Sequence, residues 1–371
     1  MTRKWLAAAM IVVAPACDQR SETSVSIVRP PTACAPSAES RWADLSYASV
    51  AIVGDAGVTG YHGAALRGST TLVWDRRLGE VWTYDPQGDR TGGFGRFGNG
   101  PGEFSRPGWM RVQPYGLSSW LAVHGDSIAV LDGNHVSVFS GTGRFRFRLA
   151  TLEAILEGGL RFSRRIRMHD GALWIDIEAR EDYGHRELED SRPYRVWRLS
   201  NANAEPVLGL HLPPLPRDRR GAAFQSSREA TPMWDLAGGC VVASDGSSSF
   251  LVVAGSAGVD SIPLPRSEAV APGMAEEDAL LERLGVADRS TVDPALPRRI
   301  LDLIADPDGW VWIRPVGRGP GVRAFLVNPR TREVLVDTLP AFPLAFGPPG
   351  VFAGPIRDAH GDVRLHRLEA R

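Results

Sequence analysis

The sequence predicts an all-β ring of six four-stranded blades, a β-propeller, on three observations. A length of 371 residues exceeds the usual range of one domain unless the fold is an extended all-β ring. Turn formers are dense, with Gly at 40 and Pro at 28, while the apolar fraction of 43% is that of an ordinary globular chain. Past Trp42, a unit of one strand, a tight turn and a second strand recurs along the chain. The formal net charge of −1 supplies no basic field for nucleic acid or an anionic membrane. Local arginine groups such as Arg164, Arg165 and Arg167, or Arg217, Arg219 and Arg220, read as solvated loops. Lys4 is the only lysine, so removal of a leader would leave no amine for a Schiff base and no P-loop lysine.

The N-terminus comes first in order. Arg3 and Lys4 precede a short apolar run, Trp5 to Ala16, too short for a membrane-spanning helix that needs about 20 residues. Residues 1–16 therefore read as a signal peptide. Ala14 and Ala16 satisfy the small-x-small rule of ordinary cleavage, while "APAC" resembles a bacterial lipobox whose Cys17 would carry lipid. The lipobox reading makes the chain a membrane-anchored lipoprotein facing the periplasm or the cell surface. The alternative is a soluble periplasmic or secreted protein. Residues 17–43 form a Pro/Ser-rich tether whose removal, from Asp18 to Ala38, is expected to cost almost no stability. Cys34 and Cys240 are the other cysteines, and both a disulfide between them and two free thiols stay open.

Residues 44–371 form the propeller domain. Its first unit is "STTLVWDRRLGEVWTYDPQG", followed by "DSIAVLDGNHVSVFSGTG", by "GALWIDIEARE" with "RPYRVWRLSNAN", and by "GGCVVASDGSSSFLVVAGSAG". "GWVWIRPVGRGPGVRAFLVNPRT" and the terminal "GVFAGPIRDAHGDVRLHRLEAR" complete six units, hence six blades. Asp75, Asp132, Asp176 and Asp245 end the first strand of four units and read as carboxylates bonding their own turns; Arg314 holds that place in the fifth. An insertion spans about 266–299, with a short helix expected over "GMAEEDALLERLG" and another from Thr151. A seven-bladed ring with one blade inside that insertion is the alternative. Ser46 to Gly54, a β-rich run before the first complete unit, is expected to supply the missing strand of the last blade and close the ring.

At the head of "GRFGNGPGEFSRP", residues 95–107, Gly93, Gly95 and Gly98 match G-x-G-x-x-G, but Pro101, Gly102 and Pro107 forbid the helix that a dinucleotide site requires. Gly100, Pro101, Gly102, Glu103 and Phe104 read instead as a structural turn between blades, with Phe104 buried and Glu103 accepting turn amides. This segment, with the strands after it and "LIADPDGWVWIRPV", resembles the NHL-type repeat of exported bacterial six-bladed propellers, many of them lipoproteins. The resemblance implies a binding module of the cell envelope. Its partner would be an envelope protein, a peptide or a glycan, with no cofactor, no nucleic acid, membrane contact through the Cys17 lipid only, and a monomeric state.

An enzyme is the second class: a channel-site, metal-dependent hydrolase or lyase of lactonase type. The eight histidines form no HxH, HxxxH or HExxH pair, and no Cys/His set has zinc spacing. No catalytic, metal or cofactor residue is therefore assigned. His135 with Asn134 and His169 with Asp170 are the pairs that such a site would draw on.

Overall fold

A computed structural model describes residues 24–27, 47–51, 61–75, 78–104, 120–132, 135–149, 160–161, 165–179, 192–200, 203–212, 232–247, 249–255, 258–267, 299–317, 322–357 and 363–370. Two strands precede the first blade, β1 (Ser24–Ile27) and β2 (Tyr47–Ala51). Blade 1 holds β3 (Tyr61–Arg67), β4 (Thr70–Asp75), β5 (Glu80–Tyr84) and β6 (Arg90–Phe94). Blade 2 holds β7 (Leu121–His124), β8 (Ser127–Asp132), β9 (His135–Ser140) and β10 (Phe145–Arg148). In blade 3, β11 (Leu160–Arg161) and β12 (Ile166–His169) both pair with β13 (Ala172–Ala179), followed by β14 (Arg192–Leu199) and β15 (Ala204–Leu212). Blade 4 holds β16 (Met233–Ala237), β17 (Cys240–Ser244), β18 (Phe250–Gly255) and β19 (Gly258–Pro263). Blade 5 holds β20 (Ile300–Ala305), β21 (Val311–Pro315), β22 (Val322–Val327) and β23 (Val334–Leu339). Blade 6 holds β24 (Ala345–Phe346), β25 (Val351–Arg357) and β26 (Val363–Ala370).

All pairings within blades are antiparallel, and apart from β1 and β2, which lie outermost on blades 3 and 6, strand order follows chain order from the axis outward. Inner strands therefore run from one end of the ring, here the upper, to the lower, and outer strands run back up. The turns between inner and second strands lie at the lower end and use left-handed glycines such as Gly125 (φ 56°) and Gly309 (φ 88°).

The recurrent two-strand unit in the sequence is the second and third strand of each blade. Those strands are covered on both faces. In β4, Leu72 and Trp74 pack with Ile128, Val130 and Phe139 of blade 2, while Val73 packs with Ala353 and Leu365 of blade 6. A strand buried on both faces reads as an unbroken apolar run, which is why these units are visible. Outer strands such as β6 are mostly exposed and carry a weaker pattern.

Six blades close the ring. Blade 4 packs directly on blade 5 through Val242, Leu251 and Val253 against Leu303, Val311 and Phe325, which leaves no place for a seventh blade between them. The closing strand is the expected one: β2 pairs with β26 from Tyr47↔Ala370 to Ala51↔His366, as the fourth strand of blade 6. Arg367, 4% exposed in its side chain, adds a bond from Nη1 to the Ser69 carbonyl of blade 1 at 3.0 Å.

Part of the tether is structured. β1 lies antiparallel on β15, from Ser24↔His211 to Ile27↔Leu208, as an extra strand on the outer edge of blade 3. Removal of residues 18–38 would strip this pairing, so its cost exceeds the near-zero value expected from composition. The physical reason is that an unpaired outer edge binds any chain able to complete its hydrogen bonds, proline-rich or not. Cys240, fully buried in blade 4, is disulfide-bonded, so the free-thiol alternative does not hold for it. The expected signal peptide, Cys17, Cys34 and the two expected helices lie outside the described residues.

Candidate functional site

The inner strands of blades 3, 4 and 5 bring a charged cluster to the axis. Arg165, 6% exposed, precedes β12 of blade 3. Its Nη2 donates to Asp302 Oδ1 of blade 5 at 2.8 Å, and its Nη1 donates to the carbonyls of Trp234 (2.8 Å) in blade 4 and Leu303 in blade 5. Arg167 clamps Asp235 of blade 4 with two bonds, Nε to Oδ1 at 2.6 Å and Nη2 to Oδ2 at 2.8 Å. Asp235 Oδ2 also accepts the amide of Ala305 at 3.0 Å and lies 3.6 Å from Arg165 Nη1. The arrangement is a cross-brace of three blades, and the planar fork of arginine suits it, since one guanidinium can serve several acceptors at once.

Burial acts against every charge here, and the outcome depends on how many partners offset it. Asp235 faces two guanidiniums, so Arg167 and then Arg165 outweigh burial and hold it below the usual carboxylate range. For Asp302 burial is the largest influence, and Arg165, the Leu303 amide and, last, Arg314 offset it only in part, so its pKa stays raised. Burial also opposes the Arg165 charge, but Asp302 and Asp235 together raise its pKa. Arg314, opposite Asp302 in the ladder, is half-buried; burial lowers its pKa and Asp302 only partly offsets that. Among the described residues no acceptor lies within hydrogen-bonding distance of Arg314.

The four aspartates read as a turn set divide into different roles. Asp75 Oδ1 accepts the Leu78 amide at 3.2 Å and Asp245 Oδ1 that of Ser247 at 2.8 Å, as turn residues do. Asp132 ends β8 opposite His135. Asp176 does not end its strand: β13 continues to Ala179, and its carboxylate accepts the Arg165 amide at 2.8 Å and the Tyr194 hydroxyl at 3.0 Å. It belongs to the edge of the charged cluster. The reading of Arg165 and Arg167 as solvated loop residues is likewise corrected: the sequence carries no local sign that a charged triplet will meet carboxylates from two later blades.

The paired histidines are kept apart. His135 begins β9 at the upper end of blade 2, with Asn134 outside the described residues. His169 and Asp170 form an exposed pair at 3.3 Å in the lower turn of blade 3. Among the described residues no three His, Cys, Asp or Glu side chains are grouped to hold a metal ion.

In the glycine-rich turn, Phe104 is fully buried and packs on Trp74 at 4.4 Å and Phe139 at 5.7 Å between ring centroids. Glu103 Oε2 accepts the Gly100 amide at 2.7 Å, and Oε1 accepts Arg96 Nε at 2.6 Å; the amide first and the guanidinium second lower its pKa. Gly102 has φ 76°, and a Cβ there would lie 2.8 Å from the Cβ of Phe145. Pro101 follows Gly100 at the exposed tip.

"ADPDGWVW" makes the lower turn of blade 5. Asp306 Oδ1 accepts the Trp310 amide at 2.9 Å and Oδ2 accepts Trp312 Nε1 at 2.8 Å, yet burial pushes its pKa up from 3.8 to about 6. A carboxyl raised on folding adds stability that is complete below its unfolded value and is lost as pH rises through its folded value. Asp306 should therefore cost the fold on the order of 2–3 kcal/mol at pH 7.5 relative to pH 3.5. Melting of Asp306→Asn and the unmutated chain, compared across that range, should show a smaller loss with rising pH in the variant; parallel curves would disprove the assignment.

No family model and no curated protein matches the sequence. Among solved structures, a member of the DUF4221 family from Bacteroides vulgatus matches at 9% identity and a TM-score of 0.51, over 95% of this chain and 100% of that one. A Bacteroides fragilis protein held to be exported matches at 11% identity and TM-score 0.47, over 91% and 98%. A gluconolactonase from Xanthomonas campestris matches at 13% and 0.45, over 92% and 95%. Likeness at these identities is a likeness of fold, and with the six closed sheets it places the chain among the six-bladed β-propellers.

Proposed function

We propose that the chain is an exported propeller, anchored through a lipid on Cys17, that acts as a binding module of the cell envelope. The observation that carries the reading is the balance of the axis cluster. Asp235 and Asp302 are bonded to Arg167 and Arg165, whereas Arg314, half-buried near the upper end of β21, meets no acceptor among the described residues. A partly desolvated guanidinium in that state favours an anionic group on a peptide or glycan. The Cys240 disulfide supports export, because such bonds persist in oxidising compartments. The NHL-like turn around Phe104 serves in this reading to hold blade 1 against blade 2, not to contact a ligand.

The test is purification from the native envelope in unmutated and Cys17→Ala forms. The unmutated protein should fractionate with membranes, carry an acyl mass on its N-terminal peptide and retain an envelope protein, peptide or glycan. Cys17→Ala should be soluble. An unmutated protein that is already soluble with no acyl mass overturns the anchor. About one equivalent of bound calcium or zinc by elemental analysis would favour the channel-site enzyme instead.

A further inference from the structure

We infer that a small monovalent anion, of the size and charge of chloride, binds inside the interface of blades 1 and 2, held by Arg148 Nε and Ser137 Oγ. The two residues are directly opposed in the ladder of β9 and β10, so their side chains leave the sheet on the same face. That face is turned to blade 1, since Phe139, the next residue on it along β9, packs with Leu72, Trp74 and Phe104. Ser137 is 1% exposed, and its other ladder neighbour is the fully buried Val130. Arg148 is half-buried and reaches back towards blade 1, where its Nη2 donates to the Glu103 carbonyl at 3.1 Å.

The bonds these side chains make leave a specific deficit. Arg148 Nε and Ser137 Oγ are buried, and neither meets a partner among the described residues. Among those residues no carboxylate lies within ion-pairing distance of Arg148. Glu103, the acid of the adjoining turn, is engaged by the Gly100 amide and by Arg96. Asp132 and His135, the next opposed pair up the same face, have partners of their own. Trp74 Nε1, buried on the blade 1 side of this interface, is a further donor with no acceptor among the described residues. The unmet groups are therefore a guanidinium N–H, an indole N–H and a hydroxyl able to donate.

An unmet donor in an apolar interface costs stability, and a charged one costs more. A water accepting from Arg148 and Ser137 would need acceptors for its own two protons, but Val130, Phe104 and Phe139 around it are apolar. A polyatomic anion such as sulfate would bring in more oxygens than there are donors and more charge than one guanidinium offsets. A single-atom monoanion needs donors only and matches the one positive charge. Held there, it ties β10 to β9 and fixes the Arg148 side chain that bonds Glu103, so that blade 2 is pinned to the turn leaving blade 1. The site lies on the third and outer strands of blade 2, away from the axis, and does not depend on the binding reading above.

Crystals of the full chain grown in sodium bromide should show an anomalous peak within hydrogen-bonding distance of both Arg148 Nε and Ser137 Oγ. In solution, chloride or bromide should raise the melting temperature by a few degrees and saturate, relative to gluconate at equal ionic strength. Arg148→Met should abolish that response. Ser137→Ala should melt below the unmutated chain in chloride but no lower than it in gluconate, because without the ion the hydroxyl has nothing to bond. A map with water or no density at the pair overturns the inference. So does a bromide peak without a halide-specific shift in melting, which would mark an adventitious ion only. Should Arg148→Met fail to fold, the bromide map and Ser137→Ala still decide the matter.

Discussion

A chain lacking Tyr47–Ala51 should fail to form a stable ring, giving unfolded or aggregated protein instead of a propeller with one frayed blade. Without β2, the ladder on β26 from His366 to Ala370 becomes an unpaired edge, and such an edge recruits other chains. Blade 6 would also be reduced to three strands, one of them the two-residue β24. Its Phe352, Leu368 and Phe342 seal blade 5, while Leu344, Ala345 and Leu365 seal blade 1, so the loss propagates both ways around the circle. The bond from Arg367 to Ser69 stands on the same strand and would go with it. Size-exclusion chromatography and calorimetry check this: a monomeric deletion variant with an unchanged melting temperature would disprove closure by β2. Loss of β1 should be far milder, because it covers the edge of one blade and closes nothing.

Arg165→Ala should destabilise the protein by about 4–5 kcal/mol, the upper part of the range for breaking a buried ion pair. Asp302 loses its guanidinium bond at 2.8 Å, and the carbonyl of Trp234 loses a donor, as does that of Leu303. Asp235 keeps Arg167 and should suffer less. Adding Asp302→Asn to Arg165→Ala should therefore recover part of the loss, since it removes the carboxylate left buried without its charge partner. Urea unfolding of the two single variants and the double supplies the cycle. A single-variant loss below about 1 kcal/mol, or strict additivity, would show that the cross-brace is not a coupled unit.

The elements legible in the sequence are those whose burial is decided locally. β4, β8 and β17 are covered on both faces by neighbouring blades, so their apolar runs and flanking turns announce them. The buried Phe104 was likewise legible, because Gly102 with positive φ and Pro101 confine the segment to a turn. Closure by β2 could be inferred from a short last unit and an unused β-rich run. β1 could not, because pairing on an outer edge is made by backbone groups and requires no side-chain pattern.

The axis cluster was not legible, and the reason is distance along the chain. Arg165 is 69 residues from Trp234 and 137 from Asp302, and nothing in the local sequence of either distinguishes a buried charge from a solvated one. Asp176 has the same strand context as Asp75, but proximity to Arg165 and Tyr194 gives it another task. The sequence by itself determined an all-β chain of repeated two-strand units, because the period and burial of each strand are written in its own residues. Only the tertiary structure decided which charges meet on the axis and which edge β1 covers, because those partners become neighbours only when six blades close on one another.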